Sequence, residues 1–331
     1  MTAFNPQVII IGAGIAGLMA ARTLQEHDVT VQVLEKNKHP GGRMATLILG
    51  EDRADIGAQF FTARTPEFQA YVDRWLAEGI VLEWTQGWSD GSMSAPHLDG
   101  HARYAAKGGM ATIADWLARD VDVRTGVEVR TITAVSHSWQ LIDQNNQFYN
   151  TNALILTPPV PISLNLLKAG FTTLSTQDTT TLKQIHYAPC LCGVFQIKGT
   201  VHLPEPGAIQ QPEAAISWIA DNRCKDLATN PTITVHAGPE HSRWYWHASN
   251  EIIRETLLEA LRPYLDTNAT IRQSTIIRWP HALPVSLHPE KYYLSQYHHP
   301  LVFAGDAFDG PRVEGAFLSG IAAANAILSV L

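Results

Sequence analysis

Residues Val8–Leu24 read VIIIGAGIAGLMAARTL, a short run of branched apolar residues that leads into three glycines and an apolar stretch of helical period. The pattern predicts a buried β-strand, a tight turn and an α-helix. Gly12, Gly14 and Gly17 form G-x-G-x-x-G. In this motif the first glycine permits the turn, the second lets the backbone approach a pyrophosphate, and the third lets the helix pack closely on the strand.

A second predicted strand, VTVQVLEK, carries Glu35 near its end. A carboxylate at this spacing accepts hydrogen bonds from the ribose hydroxyls in dinucleotide-binding folds. Together the turn and the carboxylate predict a dinucleotide site. The alternative is an ordinary strand–helix–strand unit in which Glu35 is solvated.

Composition narrows the classes of function. The chain has 331 residues, nine of them tryptophan, which is enough for a sizeable core in one large domain or two interleaved ones. The net charge of −7, without a run of basic residues, argues against nucleic acid as a main partner. Cys190, Cys192 and Cys224 lack metal-ligand spacing, so we expect reduced thiols in a cytoplasmic protein and no metal site.

The two ends of the chain carry no targeting or membrane signal in this interpretation. The N-terminus leads directly into the first strand without a basic region, so no signal peptide is expected. The apolar C-terminal stretch GAFLSGIAAANAILSVL is short for a membrane span and contains serine and asparagine. We therefore expect a buried helix there.

Further along the chain the pattern indicates a second, inserted region. The runs CLCGVFQIKG, AISWIAD, TITVHAG and RWYWHAS predict strands, NEIIRETLLEALRPYL predicts a helix, and HARYAAKGGMATIADWLARD predicts a loop leading into a helix. The expected fold class is α/β, with a Rossmann-like nucleotide-binding domain and an inserted mixed α+β substrate domain. The predicted bounds are 1–65, 105–160 and 291–331 for the first domain, and 66–104 and 161–290 for the second.

The C-terminal region indicates which dinucleotide is bound. The predicted strand LVFAG delivers Asp306 at its tip, and a helix begins near residues 314–316. The carboxylate can accept from a ribityl hydroxyl, and the helix N-terminus can stabilise negative charge on a flavin ring. A nicotinamide cofactor offers neither group, so the pattern favours FAD. The alternative is that Asp306 only caps a helix or a turn.

Several motifs resemble a known superfamily in their order along the chain. GAGIAG, LEK, PGGRM, DIGAQFFTAR, TGVEV, AGD and RVEGAFLSG resemble the flavin amine oxidase superfamily, whose FAD-binding domain is of the glutathione-reductase type. Within it, DIGAQFFTAR, RYAAKGGM, WIADNR, WYWHAS and RVEGAFLSG resemble the bacterial renalase family. The chain departs from that pattern at residues 105–108 and 307–310, and at Asp221, where a basic residue is usual.

The resemblance implies a set of FAD-binding residues. They are Gly12, Ala13, Gly14, Ala16 and Gly17 in the turn, Glu35 at the adenosine ribose, Gly42 and Arg43 near the pyrophosphate, Gln59 and Phe60 along the flavin ring, Val129 at the adenine, and Asp306, Val313, Gly315 and Ala316 at the ribityl chain and pyrimidine edge. We expect non-covalent FAD, because no cysteine lies near the flavin end of the sequence.

The resemblance also implies a reaction. Isomers of NAD(P)H reduced at ring position 2 or 6 would give hydride to the flavin, releasing NAD(P)+, and dioxygen would then yield hydrogen peroxide. Asn222, His247 and Arg312 are the candidates that position this small-molecule substrate. Each has a structural alternative: a turn residue, a strand histidine, and an arginine paired with Glu314 or Asp309.

Other assignments stay open at this level. Trp218, Trp244, Trp246 and Trp279 either wall the pocket or belong to the core. An amine or amino-acid oxidase, a flavin-dependent desaturase or isomerase, and a flavin-binding protein without turnover are the alternative functions. The sequence does not indicate an oligomeric state.

Overall fold

The computed structural model describes residues 5–92 and 96–331. The α-helices are α1 Ile15–Gln25, α2 Pro66–Ala77, α3 Ala111–Leu117, α4 Val160–Ala169, α5 Thr176–Lys183, α6 Pro239–Trp244, α7 Asn250–Leu261 and α8 Val313–Leu328. Short 3-10 helices span Gly42–Met44, Asn222–Lys225 and Arg262–Tyr264.

The chain also forms 18 described β-strands. They are β1 Val8–Ile11, β2 Val31–Glu35, β3 Thr46–Leu49, β4 Asp52–Asp55, β5 Val81–Trp88, β6 His97–Ala106, β7 Val123–Thr125, β8 Val129–Val135, β9 Ser138–Asp143, β10 Phe148–Thr151, β11 Ala153–Leu156, β12 His186–Lys198, β13 Ala208–Gln210, β14 Ile216–Asp221, β15 Thr232–Ala237, β16 Thr270–Ser286, β17 Tyr293–Leu294 and β18 Leu301–Phe303.

The chain divides into two compact units. The first contains the residues up to Gly42 together with Ile113–His186 and Pro284–Leu331, and the second contains Arg43–Thr112 and Tyr187–Leu283. These bounds differ from the predicted segments in four places: residues 43–65 and 105–112 group with the second unit, and residues 161–186 and 284–290 with the first. The assignment of one unit to the cofactor and the other to the substrate stays a prediction.

The first unit is built on a six-stranded sheet of order β17-β18-β11-β1-β2-β7. Its strands pair in parallel except β17, which is antiparallel to β18. All four residues of β1 and all four of β11 are buried, as expected for central strands of a parallel sheet. Strands β8, β9 and β10 form a separate antiparallel sheet in the same unit.

Helices α1 and α8 approach each other closely in the first unit. A Cβ atom on Gly320 of α8 would overlap the carbonyl oxygen of Ala16 in α1, and a Cβ on Gly17 would overlap that of Gly12. Helix α8 has ten buried residues, so the C-terminal apolar stretch is a core helix, as the sequence predicted. None of the helices within residues 5–92 and 96–331 combines the length and the hydropathy that a membrane-spanning segment needs.

The second unit has a five-stranded sheet of order β13-β14-β15-β12-β16 and two antiparallel hairpins, β3-β4 and β5-β6. Helix α7 packs on β14 and β15, and it buries Ile253, Leu257 and Leu261 against the sheet. The predicted loop before α3 is wrong in part, because residues 97–106 form β6 and pair with β5.

Candidate functional site

The glycine turn of the first unit lies between β1 and α1. Gly12 has a φ of +96°, a conformation that favours glycine. The hydroxyl of Thr157 holds the preceding residue, because it donates to the carbonyl oxygen of Ile11 at 2.7 Å. Gly14 has an ordinary φ of −75°, and no described atom beyond its own turn lies within 4 Å of a Cβ built on it. The protein itself therefore leaves open space at this glycine, which fits a pyrophosphate at the N-terminus of α1.

Glu35 lies beside this turn at the end of β2. Its Oε2 accepts from the backbone N–H of Ala13 at 2.8 Å, and its Oε1 accepts from the backbone N–H and the side-chain amide of Asn37 at 2.8 and 2.6 Å. Glu35 is 4% exposed, so the alternative of a solvated carboxylate is wrong. Carboxylate oxygens have several acceptor positions, so a ribose hydroxyl can still donate to Glu35.

A second loop packs against the glycine turn. The backbone N–H of Gly41 donates to the carbonyl oxygen of Ala13 at 2.9 Å. Gly42 has a φ of +56°, and a Cβ on it would lie 3.7 Å from the Cα of Gly14. Two segments that are 28 residues apart in sequence thus meet, as a shared pyrophosphate site requires. Val129, the predicted adenine contact, begins β8 in the same unit and is buried.

The segment from β18 to α8 supplies the remaining predicted residues of the first unit. Gly305 has a φ of +133° and donates its N–H to the hydroxyl of Ser319 at 2.8 Å, and the half-buried Asp306 follows. Helix α8 begins at Val313, and the N–H of Ala316 is bonded to the carbonyl oxygen of Arg312 at 3.0 Å. The amides of residues 313–315 precede the first intrahelical bond and form the positive end of a helix of 16 residues.

Arg312 itself is exposed and has an extended backbone at the N-terminus of α8. No ion pair found among the described residues includes Arg312, so its predicted alternative partners Glu314 and Asp309 do not bind it in this structure. The guanidinium keeps its donors available to a ligand.

In the second unit, Gln59 belongs to a buried network that the sequence did not reveal. Lys225 is fully buried, and its Nζ donates to Asp55 Oδ2 at 2.8 Å and to Gln59 Oε1 at 3.2 Å. The amide nitrogen of Gln59 donates to the carbonyl oxygens of Asp55 and Gly57 at 2.7 and 3.1 Å. The Gln59 side chain is therefore held at both ends, with its amide orientation defined.

Asn222 belongs to the same network. Its Oδ1 accepts from the backbone N–H of Asp55 at 3.2 Å, and its Nδ2 donates to the carbonyl oxygen of Thr232 at 2.8 Å and the hydroxyl of Thr234 at 3.0 Å. Asn222 is 0% exposed. The predicted contact between Asn222 and the substrate is thus replaced by a structural role: the amide joins β4 to β15. Asp221 caps the 3-10 helix that carries Asn222 and pairs with Arg223 at 2.6 Å.

Phe60 belongs to an aromatic cluster in the second unit. Its ring centroid lies 4.7 Å from that of Trp88 and 5.4 Å from that of Trp218, and Trp84 packs on Trp88 at 4.9 Å. The Lys225 ammonium lies 5.4 Å from the Trp84 ring, so the cluster adjoins the polar network. The Nε1–H groups of Trp88 and Trp218 have no acceptor among the described residues.

Arg43, the predicted pyrophosphate contact, also lies in the second unit. Its Nη1 donates to the carbonyl oxygen of His281 at 3.2 Å, and its guanidinium lies 5.8 Å from the centre of the Tyr187 ring. These contacts orient the side chain. The contact between Arg43 and a pyrophosphate stays a prediction.

The local structure around His247 is not the predicted strand. Gly238 and Pro239 begin α6, which runs to Trp244, and residues 245–247 form a turn. The strand alternation expected for WYWHAS is therefore wrong. His247 is exposed and lines an open depression of about 310 Å³ together with Pro189, Arg243, Trp246 and Pro280.

The four candidate tryptophans have different environments. Trp218 lies in the aromatic cluster, and Trp246 lines the depression. Trp279 donates its N–H to the carbonyl oxygen of Ile56 at 2.8 Å, whereas Trp244 is 74% exposed. In the described part of the chain, no group of three His, Cys, Asp or Glu side chains is arranged to hold a metal ion.

The turn, the buried carboxylate and the glycine-rich approach to α8 define a dinucleotide-binding fold, and comparison with known proteins identifies its kind. Residues 10–75 match the NAD(P)-binding Rossmann-like domain, and residues 84–328 match the flavin-containing amine oxidoreductase family. The second match covers most of the chain. The protein belongs to the flavin-containing amine oxidoreductase family, and FAD is its cofactor.

Individual relatives share short segments of sequence. A putrescine oxidase from Kocuria rosea is 42% identical over 72 residues, and a 1-hydroxycarotenoid 3,4-desaturase from Flavobacterium sp. (strain P99-3) is 46% identical over 56 residues. These segments cover 22% and 17% of the chain, but only 15% and 12% of the two relatives.

Solved structures are similar over the whole chain. A triple mutant of putrescine oxidase superposes with a TM-score of 0.72 at 14% identity, and the match covers 99% of both chains. A protein from Exiguobacterium sp. 255-15 named as a protoporphyrinogen oxidase gives the same TM-score and identity, with full coverage of both chains. At this identity the likeness confirms the predicted fold class, a Rossmann-like FAD-binding fold of the amine oxidase type, and the chain also has a five-stranded sheet.

Proposed function

We propose that this protein is a renalase-like oxidase of dihydronicotinamide isomers. Isomers of NAD(P)H reduced at ring position 2 or 6 would give hydride to non-covalent FAD and leave as NAD(P)+. Bound FAD supplies the hydride acceptor and passes the electrons to dioxygen, which yields hydrogen peroxide. The reaction asks for no protein acid or base, because the substrate loses a hydride and gains aromaticity.

The observation that supports this proposal is the state of Arg312. In the amine oxidases that the chain resembles, the residue two positions before the E-G-A of α8 is aromatic and forms one wall of the amine cage. Here it is an exposed arginine outside every ion pair of the described residues. A fixed positive charge within a few ångströms repels an ammonium substrate by about 1–4 kcal/mol, depending on the effective dielectric. The same charge favours a carboxamide oxygen or a phosphate.

The residues of the chain would act by orientation. Arg312 would bind a polar group of the substrate, and His247, on a turn of the second unit, would hold the nicotinamide carboxamide. Such positioning raises the rate of flavin reduction, because it holds the donor carbon of the substrate in the orientation that hydride transfer requires. Asn222 has no part in this proposal, because its side chain is fully buried and both donors of its amide nitrogen are used within the protein.

The second candidate function is an amine oxidase, which the putrescine oxidase relative favours by name. One experiment separates the two. The yellow protein is mixed anaerobically with the 2- and 6-dihydro isomers of NAD(P)H, with ordinary NAD(P)H, and with putrescine and benzylamine, while bleaching of the visible flavin band is followed.

We expect bleaching with an isomer and none with the amines. Arg312→Ala should lose activity on the isomers without gaining any on amines, and Arg312→Lys, which keeps the charge, should retain part of it. Rapid reduction by an amine with none by the isomers would overturn the proposal in favour of the amine oxidase.

A further inference from the structure

Apart from His247, the residues that line the depression have no role in the proposed reaction. It lies wholly within the second unit, and its lining residues are Pro189, Arg243, Trp246, His247 and Pro280. The lining includes one arginine, one histidine and one tryptophan, and none of its residues carries a carboxylate. A surface of this kind suits a ligand that is both aromatic and anionic.

The turn that carries Trp246 and His247 is fixed by another arginine. Arg278 donates to the carbonyl oxygens of Trp246 and Ala248 at 3.3 and 2.7 Å, and to Oδ1 of Asn250 at 2.5 Å. Its guanidinium therefore makes three contacts with this segment. The backbone of the turn that carries Trp246 and His247 is thus held by the protein itself.

Arg243 has a different state. It lies in the last turn of α6, it is exposed, and none of the ion pairs found within residues 5–92 and 96–331 includes it. A guanidinium with two parallel N–H donors matches two oxygens of a phosphate. The Arg243 side chain keeps this capacity in the lining of the depression.

We propose that the depression is a binding subsite for the phosphate-bearing part of a pyridine dinucleotide, with Arg243 as the residue that recognises the phosphate. This inference rests on the proposed function, in which the substrate is such a dinucleotide. The indole of Trp246 offers a face for stacking, and Pro189 and Pro280 give stiff apolar walls. Arg243 then determines affinity for the dinucleotide and takes no part in hydride transfer.

The test compares binding by the FAD-loaded wild type with Arg243→Met, Arg243→Lys and the control Arg272→Met. Arg272 is also an exposed arginine of the second unit, on β16, and it does not line the depression. Calorimetric titrations use NAD+, NADP+ and nicotinamide riboside, which has no phosphate. Circular dichroism establishes that each variant is folded.

We expect Arg243→Met to weaken binding of NAD+ and NADP+ about 10- to 100-fold, the loss typical of a charge-assisted hydrogen bond. Arg243→Lys should lose less, Arg272→Met should match the wild type, and binding of the riboside should not change. An equal loss with NAD+ and NADP+ assigns Arg243 to the pyrophosphate, and a larger loss with NADP+ assigns it to the 2′-phosphate. Both results support the subsite.

Other outcomes overturn it. The subsite is refuted if Arg243→Met binds NAD+ and NADP+ as tightly as the wild type does, or if the wild type binds neither dinucleotide. It is also refuted if Arg243→Met weakens binding of nicotinamide riboside as much as binding of the dinucleotides. Failure of the proposed function is a separate result. If the wild type binds NAD+ through Arg243 but its flavin is reduced by neither isomer, the subsite is supported and the proposed reaction is refuted. If an isomer reduces the flavin and its KM is the same in Arg243→Met, the reaction is supported and the subsite is refuted.

Discussion

Replacing Lys225 with methionine tests how far the buried network stabilises the second unit. The ammonium is 2.8 Å from Asp55 Oδ2, and both side chains are 0% exposed. At an effective dielectric of about 20, this contact is worth about 6 kcal/mol of Coulomb energy, which the desolvation of both charges offsets in part. Lys225→Met roughly conserves the side-chain volume but leaves the buried carboxylate of Asp55 without its cation. We therefore expect the free energy of unfolding to fall by about 3–5 kcal/mol.

The double variant separates the charge pair from simple packing. In Asp55→Asn the new Oδ1 can still accept from the hydroxyl of Thr46 and the N–H of Met110, both at 2.8 Å in the structure. Asp55→Asn combined with Lys225→Met should therefore be more stable than the sum of the two single losses predicts, by at least about 2 kcal/mol. The free energy of unfolding is measured by urea titration of the FAD-loaded proteins at one fixed FAD concentration, with circular dichroism.

A surface ion pair with a similar distance between nitrogen and oxygen is the control. Arg74 and Glu78 in the second unit lie 2.7 Å apart with their side chains 59% and 35% exposed, and Arg74→Met should change the free energy by less than about 1 kcal/mol. The reasoning from burial would be refuted if Lys225→Met lowered the free energy of unfolding no more than Arg74→Met does. It would also be refuted if the effects of Lys225→Met and Asp55→Asn on that free energy were simply additive.

Four further predictions concern the cofactor, the substrate and pH. Glu35→Ala should weaken FAD binding about 10- to 100-fold, measured by fluorescence of released flavin, while the fully loaded variant turns over at nearly the wild-type rate, because Glu35 serves the ribose and not the chemistry. His247→Ala should slow flavin reduction by an active isomer about fivefold without altering the flavin spectrum; an unchanged rate would leave His247 a structural residue. Acid precipitation should release the yellow colour into the supernatant, since the FAD is expected to be non-covalent, and colour retained in the pellet would contradict this. Burial, with Lys225 as a second cause, lowers the pKa of His236 from 6.5 to about 4, so between these values the folded state binds fewer protons than the unfolded state. The contribution of His236 to the free energy of unfolding should be constant above about pH 6.5 and fall by about 3 kcal/mol as the pH drops to about 4, and urea titrations should show a smaller loss over this range for His236→Gln.

The parts of the fold that local pattern controls were predictable. The run from β1 through the glycine turn to α1 and β2 is confirmed within the predicted residues, and so is the apolar helix α8. In these segments the strand, the turn and the helix each depend on neighbours a few residues away. The glycines at 12 and 17 are required by backbone conformation and close packing, and both requirements can be read from their spacing.

The segment RWYWHAS shows where propensity misleads. Three adjacent aromatic residues favour a strand, but Gly238 and Pro239 precede them, and a proline at the first helical position followed by Glu240 is a helix start signal. That signal is visible in the sequence and favours a helix over a strand. The contacts of Arg278 with the carbonyl oxygens of Trp246 and Ala248 are not visible there, because they come from a strand 30 residues further along the chain.

The network around Lys225 has no local signal at all. In WIADNRCKD the lysine follows a polar turn and looks like an ordinary solvated cation, yet it is buried because Asp55, 170 residues earlier, provides its counter-charge. Asn222 reads as a candidate ligand for substrate in the same segment, yet it bonds to Asp55 over 167 residues. In both residues a partner that is distant in sequence stabilises the buried polar group. For that reason Arg243 and Arg312, which have no such partner among the described residues, are better candidates for ligand recognition than the polar residues that the fold has already satisfied.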